Sequence, residues 1–343
     1  MKKKILAMIL ACAMILALAA CSGSANTEQP AAEAPASDAA PAASAETPAA
    51  EGKTYTVGVC QLVQHEALDA ATQGFCDALT EALGDAVTID VQNASGDSVN
   101  CGTIVNGFVS KNVDLIMANA TPALTAAASA TADIPILGTS ITAYGVALDI
   151  ADFDGTVGGN ISGTSDLADL AAQAQMILDW FPDTQKVGLL FCSAEPNSRY
   201  QIEEVAKYLA DKGVETEEFA FTDTNDVASV TQSAADYADV VYIPTDNTAA
   251  ANTEAIGNVL IPAGVPAICG EEGICRGCGV ATLSISYYDL GVTTGKMAAK
   301  ILTGEANISE MPVEFTDATP KYNPSVCEQL GITPLEGYEA IEG

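Results

Sequence analysis

The sequence predicts an α/β protein with two similar halves, each built around a parallel β-sheet. The first observation is a repeated unit, in which a short apolar run is followed by a polar loop and then by apolar residues at helical spacing. This unit occurs several times, stops at a glycine-rich stretch and then starts again. The length of 343 residues also suits two domains. Because ligands bind beyond the carboxyl ends of strands in such sheets, we expect a cleft between the halves.

The first unit follows directly on a polar N-terminal segment. Residues 57–60 form a short apolar run that predicts a buried strand, and residues 61–65 predict the loop after it. From Glu66 onward apolar residues lie three and four positions apart, which indicates a helix; they are Leu68, Ala71, Phe75 and Leu79. A strand, a loop and a helix in this order are typical of the opening of a parallel α/β sheet.

The rest of the first half continues this pattern. Further strands are predicted over residues 87–91, 113–118, 134–138 and 146–148. Thr121 followed by Pro122 indicates a helix start, because a threonine hydroxyl can cap the first turn and proline suits the first helical position. Together these units predict one Rossmann-like half.

Residues 154–166 (DGTVGGNISGTSD) break the pattern and predict the first crossover between the halves. A phosphate-binding loop is the alternative, but the stretch lacks the G-x-G-x-x-G spacing, a P-loop lysine and a strand directly before it. The second half restarts with a helix over 167–180. Its strands are predicted over residues 186–191, 216–221, 240–243, 267–269 and 280–285. A helix over 287–302, a short strand over 313–315 and a last helix over 323–330 complete the chain.

Residues 1–21 have the features of an export signal. Lysines at positions 2 to 4 precede an apolar run that ends in Leu-Ala-Ala-Cys at positions 18–21. These four residues resemble a bacterial lipobox, which implies cleavage before Cys21 and a lipid on its sulfur. An uncleaved signal or a single membrane anchor is the alternative, although the run is shorter than the roughly 20 residues that a spanning helix needs. Residues 22–53 are rich in Ala, Pro and Glu and predict a disordered linker.

The composition excludes several classes of protein. A net charge of −32 excludes a general nucleic-acid-binding protein, which needs a surplus of Lys and Arg.

Cys275 and Cys278 form one C-x-x-C, but no second pair or nearby histidine completes a zinc site, so neither a metal nor a cofactor is expected. A disulfide between these two stays an open alternative to free thiols. The one histidine, His65, has no partners for a catalytic triad, and we expect no enzyme activity.

Seven short motifs occur in a fixed order between residues 54 and 332. They are Gln61-Leu62-Val63 with His65, Ala67, Leu68 and Asp69; Ala120-Thr121-Pro122; Gly163-Thr164-Ser165-Asp166; Glu195 with Asn197-Ser198; Pro244-Thr245-Asp246-Asn247-Thr248; Gly270-Glu271-Glu272-Gly273; and the GVATLSISYYDLG of residues 279–291. In order and spacing they resemble the tryptophan/tyrosine-type substrate-binding lipoproteins of ABC transporters. The chain departs from the family's usual pattern after Thr142, where Ala143-Tyr144 replace Asp-Pro, and at Cys275 and Cys278.

The resemblance implies a type I periplasmic-binding-protein fold. Two Rossmann-like lobes with parallel sheets would be joined by a three-segment hinge and would hold a small ligand between them. The first lobe would comprise 54–162 and 287–304, and the second 163–286 and 305–343. Characterised relatives bind aromatic amino acids, so the resemblance implies Trp, Tyr or Phe as the ligand.

The expected ligand-binding residues follow strands or begin helices on both lobes. They are Gln61, His65, Ala120, Thr121, Ser140, Ser165, Asp166, Glu195, Asn197, Ser198, Asp246, Asn247 and Glu271. Helix starts at Thr121 and Ser198 suit the ligand carboxylate, and among the acids Asp246 is favoured for the ammonium. The structural alternatives are that Thr121, Ser198 and Asp246 only cap helices and that Glu195 and Asn197 only hold a turn.

The aromatic side chain of such a ligand needs an apolar slot and a stacking partner. The candidates for that partner are Tyr144, Tyr287 and Tyr288, and the alternative is that these tyrosines only pack the fold. His65 lies on the first loop, where it either contacts the ligand or is simply solvated.

The predicted function is a solute receptor for an ABC importer, lipid-anchored outside the cytoplasm and monomeric, that passes its ligand to a membrane permease. One alternative is a ligand-sensing subunit for another small molecule, such as a branched-chain amino acid or a nucleoside. Another is an envelope hydrolase, which the single histidine and the lack of H-E-x-x-H and G-x-S-x-G motifs oppose. A LacI-type repressor would share the fold, but the lipobox and the missing helix-turn-helix exclude it.

Overall fold

The computed structural model describes residues 52–342. The expected signal peptide with Cys21, and the linker up to residue 51, therefore lie outside the described residues. Within residues 52–342, no helix combines the length and the apolar character that crossing a membrane requires.

Strands and helices alternate through most of this part of the chain. The strands are β1 (Tyr55–Gln61), β2 (Val87–Asn93), β3 (Leu115–Asn119), β4 (Ile136–Ile141), β5 (Ile161–Ser165), β6 (Lys186–Cys192), β7 (Glu215–Phe221), β8 (Val240–Ile243), β9 (Ala267–Cys269), β10 (Ala281–Ser284), β11 (Glu314–Phe315), β12 (Thr319–Tyr322) and β13 (Glu339–Ala340). The α-helices are α1 (Glu66–Leu83), α2 (Ser98–Lys111), α3 (Thr121–Ala130), α4 (Tyr144–Ala147), α5 (Leu170–Trp180), α6 (Pro196–Asp211), α7 (Val227–Tyr237), α8 (Asn247–Ala250), α9 (Thr253–Ala263), α10 (Glu272–Cys278), α11 (Tyr287–Thr303) and α12 (Pro324–Leu330).

The first sheet has the strand order β11-β5-β4-β3-β1-β2, and every neighbouring pair is parallel. Its strands β3 and β4 are buried along their whole length. A parallel sheet covered by helices on both faces produces such near-continuous apolar strands. The register places Val57 of β1 between Ile89 of β2 and Leu115 of β3.

The second sheet has the order β13-β12-β10-β9-β8-β6-β7. All its pairs are parallel except β10 with β12. In each sheet there is one strand at which the strand order reverses: β2 lies on one side of β1 and β3 on its other side, and β7 and β8 flank β6 in the same way. Ligands bind beyond the carboxyl end of such a strand. The two mainly parallel sheets with flanking helices confirm the predicted α/β fold.

Helix α1 packs against α11 with the two backbones in contact. A Cβ atom on Gly74 of α1 would lie 2.1 Å from the carbonyl oxygen of Tyr288, and one on Gly291 of α11 would lie 2.0 Å from that of Ala71. Only glycine therefore fits at these positions, since real Cβ atoms do not approach backbone this closely. Through this contact α11, which follows β10 of the second sheet in the chain, covers the first sheet.

The strand predicted over residues 146–148 is wrong. These residues fall in and after the short helix α4, and Val146 is 43% exposed. The strand next to β4 is instead β5, which lies inside the glycine-rich stretch. A three-residue apolar run is too short to distinguish a strand from a helix by its periodicity, and β5 already occupies the edge of β4.

The assignment of all of residues 305–343 to the second lobe also differs from the strand pairing. Strand β11 pairs with β5 in the first sheet, whereas β12 and β13 belong to the second sheet. The expected boundary after residue 162 falls within β5. By covering the edge of β5, β11 satisfies backbone groups that would otherwise stay unpaired.

The cysteines of the described residues are free thiols, including Cys275 and Cys278. Apart from Cys76 they are buried. The buried ones act as small apolar side chains in the cores. Of the two alternatives for Cys275 and Cys278, a disulfide or free thiols, the structure has free thiols.

Candidate functional site

Carboxyl ends of strands from both sheets meet around a small cavity, which we call the central cavity. Its volume is about 10 Å³, close to what one water molecule needs. It is lined by His65, Leu68, Ser140, Thr142, Asp166, Asn197, Thr245, Asp246, Asn247, Ala250, Glu271 and Tyr287. The lining is therefore mostly polar, and it contains several acids but no lysine or arginine.

Asp166 follows β5 and is 5% exposed. One of its carboxylate oxygens accepts a hydrogen bond from the hydroxyl of Tyr287 at 2.9 Å. Its other oxygen, Oδ1, is buried without a partner. Burial raises the pKa of Asp166 to about 6. This oxygen is free to accept a hydrogen bond from a bound molecule.

Two neighbouring strand ends of the first sheet have strained backbone. Ala120 after β3 has φ 87°, and Ser140 in β4 has φ 56°, although left-handed conformations favour glycine. The hydroxyl of Ser140 is buried and unpartnered. Such strain in non-glycine residues concentrates at functional sites, and here it brings a free hydroxyl to the central cavity.

Glu195 and Asn197 belong to the start of α6, after β6. The carboxylate of Glu195 accepts the backbone N–H groups of Asn247 at 3.0 Å and Thr248 at 2.9 Å, together with their side-chain donors. Asn197 donates its amide to Glu195 at 3.2 Å and to the carbonyl of Thr245 at 3.2 Å. Its oxygen, Oδ1, is buried and has no partner. Glu195 is thus saturated by its own fold, while Asn197 offers a free acceptor.

Asp246 and Glu271 cap helices of the second sheet. Asp246 accepts the backbone N–H of Ala249 at 2.7 Å through one oxygen and that of Cys192 at 2.7 Å through the other. Glu271 accepts the N–H groups of Gly273 and Ile274 at the start of α10. Burial raises the pKa of both groups to about 7, and for Asp246 the nearby Glu195 adds to this effect. Both acids face the cavity with their oxygens already engaged.

His65 bridges the loops of the two sheets. Its Nε2 lies 3.3 Å from Oδ1 of Asn247, whose amide nitrogen donates to Glu195. The Asn247 oxygen is therefore an acceptor, so Nε2 of His65 carries the proton in this contact. Desolvation lowers the pKa of His65, which keeps the imidazole neutral at pH 7 and leaves Nδ1 as an acceptor.

The chemistry of the cavity suits a small molecule with hydrogen-bond donors and a positive charge. Free acceptors come from both sheets, and the nearby acids create a negative potential in a site with little water. Within residues 52–342, no group of three or more His, Cys, Asp or Glu residues has an arrangement that could hold a metal ion.

Comparison with known proteins places the chain in a family. A family model described as ABC transporter substrate binding protein matches residues 56–338, nearly all of the described chain. This chain belongs to that family. Members of it act outside the cytoplasm, and the named relatives are binding proteins rather than enzymes. The substrate-binding protein described here is also similar to a "Tyrosine-binding protein" of Clostridioides difficile, with 33% identity over 270 residues, or 78% of each chain.

Solved structures of two relatives, one with a bound ligand and one open, can be compared with the conformation of this substrate-binding protein. A domain from Streptococcus pneumoniae in complex with L-Trp has 31% identity and a TM-score of 0.80, covering 84% of this chain and all of the other. The ligand-free, open structure of a substrate-binding protein from Clostridium difficile has 32% identity over 84% of this chain and 99% of the other, but a TM-score of only 0.64. At nearly equal identity and coverage, the present structure thus superposes better on the ligand-bound structure than on the open one.

Most of the sequence-predicted residues of this substrate-binding protein lie together. His65, Ser140, Asp166, Asn197, Asp246, Asn247 and Glu271 line the central cavity. Gln61 does not, because its side chain is bonded to Val63, Asp69 and Thr72 at the end of β1. Ser165 is bonded within the crossover to the carbonyl of Thr142. Ala120, Thr121, Glu195 and Ser198 are buried beside the cavity without lining it.

The tyrosines and some lining residues differ from the expectations. Tyr287 lines the cavity and donates a hydrogen bond to Asp166. Tyr144 instead donates to the carbonyl of Thr164. Tyr288 is exposed, and its hydroxyl donates to Asp77. Sequence reasoning missed Leu68, Thr142, Thr245 and Ala250 as lining residues. Thr142 is the first residue after β4 and Thr245 the second after β8, so their positions at strand ends were the available signal.

Proposed function

We propose that this protein is the solute receptor of an ABC importer and that it binds an aromatic amino acid between its two sheets. It would be held outside the cytoplasm by a lipid on Cys21, act as a monomer without enzymatic activity, and present its closed form to a membrane permease. The bound L-Trp of the Streptococcus pneumoniae structure and the name of the tyrosine-binding relative support this ligand class.

One observation in the structure supports a polar ligand in this cavity. Three buried polar atoms without partners, Oγ of Ser140 and the Oδ1 atoms of Asp166 and Asn197, belong to residues that line the same cavity. Leaving a buried polar group unpaired costs about 1–3 kcal/mol. Three such groups from both sheets in one cavity are explained if a ligand supplies their missing partners.

The positions of these atoms suggest how the ligand lies. The ammonium would sit between Asp166 and Asn197, since both offer acceptors and Asp166 can supply the opposite charge. The carboxylate would then face the hydroxyl of Ser140 and the start of α3, where helix N–H groups favour an anion. The sequence favoured Asp246 as the partner of the ammonium. This arrangement gives that role to Asp166 instead, because both oxygens of Asp246 already accept backbone N–H groups.

Binding would require the two sheets to separate and close again. A cavity of about 10 Å³ is too small to hold an amino acid, so the ligand-bound form would keep the lobes slightly further apart at this cavity. The lobes of the binding unit would be 54–165 with 287–304 and β11, and 166–286 with the rest of the C-terminal tail, so that β5 stays whole in the first lobe. Side-chain contacts between the lobes, from His65 to Asn247 and from Glu66 to Arg276 at 3.0 Å, would form on closure.

The test is calorimetric binding to residues 52–343 of tyrosine, tryptophan, phenylalanine, leucine and a nucleoside. We expect binding of the aromatic amino acids. Asp166→Asn keeps the shape but removes the charge, and should cost roughly 2–5 kcal/mol of binding free energy. Asp183→Asn, at an exposed position, makes the same change in net charge and should leave affinity unaltered. Binding of the nucleoside alone, or equal affinities of the two variants, would contradict the proposal.

A further inference from the structure

A larger groove adjoins the central cavity. Its volume is about 610 Å³, and α4 and the loop that follows it form one wall. We call it the α4 groove. Rings of Tyr144, Phe153, Tyr200 and Phe315 line it, and Thr142 lines both the groove and the central cavity. The polar cavity thus meets an aromatic groove at Thr142.

Three segments of the chain contribute to both spaces. Besides Thr142, the crossover places Asp166 in the cavity while its neighbours Ser165 and Leu167 line the groove. On α6, Asn197 lines the cavity and Tyr200 lines the groove. Residues three apart lie on the same side of a helix, so one face of α6 runs from the cavity to the groove. The groove therefore lies next to the groups that would hold the ammonium.

Two other surface pockets also share lining residues with the central cavity, but their walls are poorly suited to an aromatic ring. The space that shares Glu271 and Tyr287 has charged walls, with Glu66, Glu272, Asp289, Asp317 and Lys321. The space that shares Asn247 is lined in part by Ser95, Ser98, Thr222, Asp223 and Thr224. Neither contains an aromatic residue apart from Tyr287 and Tyr288. Of the three, the α4 groove is the apolar one.

We propose that the α4 groove is the subsite for the ligand's aromatic side chain and that Tyr200 and Phe153 select it. This inference rests on the proposed function, because it assumes an amino acid whose ammonium is held by Asp166 and Asn197. Phe153 comes from the first lobe and Tyr200 from α6 of the second. The slot is thus completed only when the lobes close, so that the ring itself contributes to closure through contacts with both walls.

The first test compares tyrosine binding to Tyr200→Ala and to the wild-type chain. Tyr200 is half-buried, so the variant should fold, which circular dichroism checks. We expect tyrosine and tryptophan to bind roughly three- to tenfold more weakly, as loss of an aromatic pair predicts. Tyr288→Ala removes an exposed ring outside the groove and should leave affinity within twofold. Unchanged affinity in Tyr200→Ala overturns the proposal, as does an equal loss in both variants.

The second test locates the ring directly. The wild-type chain is crystallised with 4-bromophenylalanine, and the bromine is found by its anomalous scattering. We expect it in the α4 groove beside Phe153 and Tyr200. A bromine near Pro122 and Ser95, or near Lys321, overturns the side-chain subsite while leaving the amino-acid function intact. If the wild-type chain binds no amino acid at all, the proposed function itself has failed.

Discussion

Asp166 and Asp246 are both buried aspartates at strand ends, yet their carboxylates have different partners. Asp246 accepts N–H groups from Ala249 and from Cys192, so both of its oxygens are used by hydrogen bonds within the fold. Asp166 accepts the hydroxyl of Tyr287 through one oxygen, and its Oδ1 is buried without a hydrogen-bond partner. The sequence could predict that both acids lie near the cleft but not which one is free, because the Cys192 contact arises from packing between strands 54 residues apart.

The proposed ion pair with Asp166 makes binding depend on pH. Burial raises the pKa of Asp166 to about 6, so the carboxylate is charged above that pH and becomes neutral below it. An ammonium needs the charged form. We therefore expect affinity for tyrosine to be higher at pH 7.5 than at pH 5, and the loss of the Asp166 charge to approach tenfold per pH unit below about pH 6. Asp246 and Glu271 line the same cavity with pKa values of about 7, so their protonation should add to the loss from near pH 7 downward.

Calorimetry at about pH 7.5, 6 and 5 measures this dependence. The Asp166→Asn variant is the control, since it has no charge to lose at this position and its weaker affinity should vary less over the same range. Binding that strengthens on acidification, or an identical profile in the two proteins, would refute the role given to Asp166.

The contact between α1 and α11 shows how a single methyl group can decide the packing of two helices. A Cβ on Gly291 would lie 2.0 Å from the carbonyl oxygen of Ala71. Gly291→Ala should therefore force the helices apart and destabilise the folded state by about 1–3 kcal/mol or more. Gly107→Ala on α2 is the matched control, because nothing lies within 4 Å of its Cβ.

Gly107→Ala should be neutral or stabilise by up to about 1 kcal/mol, since glycine is unfavourable inside a helix. Urea unfolding of the two variants and the wild-type chain gives the comparison. Equal stabilities of the two alanine variants would show that the helices can separate without cost.

At the scale of elements, the sequence predicted the central strands well because they are buried. Strands β3 and β8 are mostly apolar and buried along their whole length, as expected for strands inside a covered parallel sheet. Short elements at the edges were harder. Residues 146–148 were assigned to a strand and lie in and after α4, and β11 pairs with the first sheet rather than the second. Pairing partners of two-residue strands depend on tertiary packing, which local periodicity does not contain.

For the whole molecule, the proposed closure predicts a change of shape on binding. In solution without ligand, the lobes should populate an open form, and saturating tyrosine should shift them to the closed one. Small-angle X-ray scattering should then give a smaller radius of gyration with tyrosine than without it. Asp166→Asn at the same tyrosine concentration should keep the larger value. A radius that tyrosine leaves unchanged in the wild-type chain would exclude this hinge motion.

The pairing of α1 with α11 has a consequence for how the chain acquires its structure. Residues at the two ends of the binding unit must meet before the first sheet is complete, since α11 covers α1 and β11 pairs with β5. The first sheet is therefore complete only once the chain through residue 315 is available. Contacts so distant along the chain slow folding. We therefore expect the binding unit to refold more slowly than a domain whose sheet is built from one continuous segment.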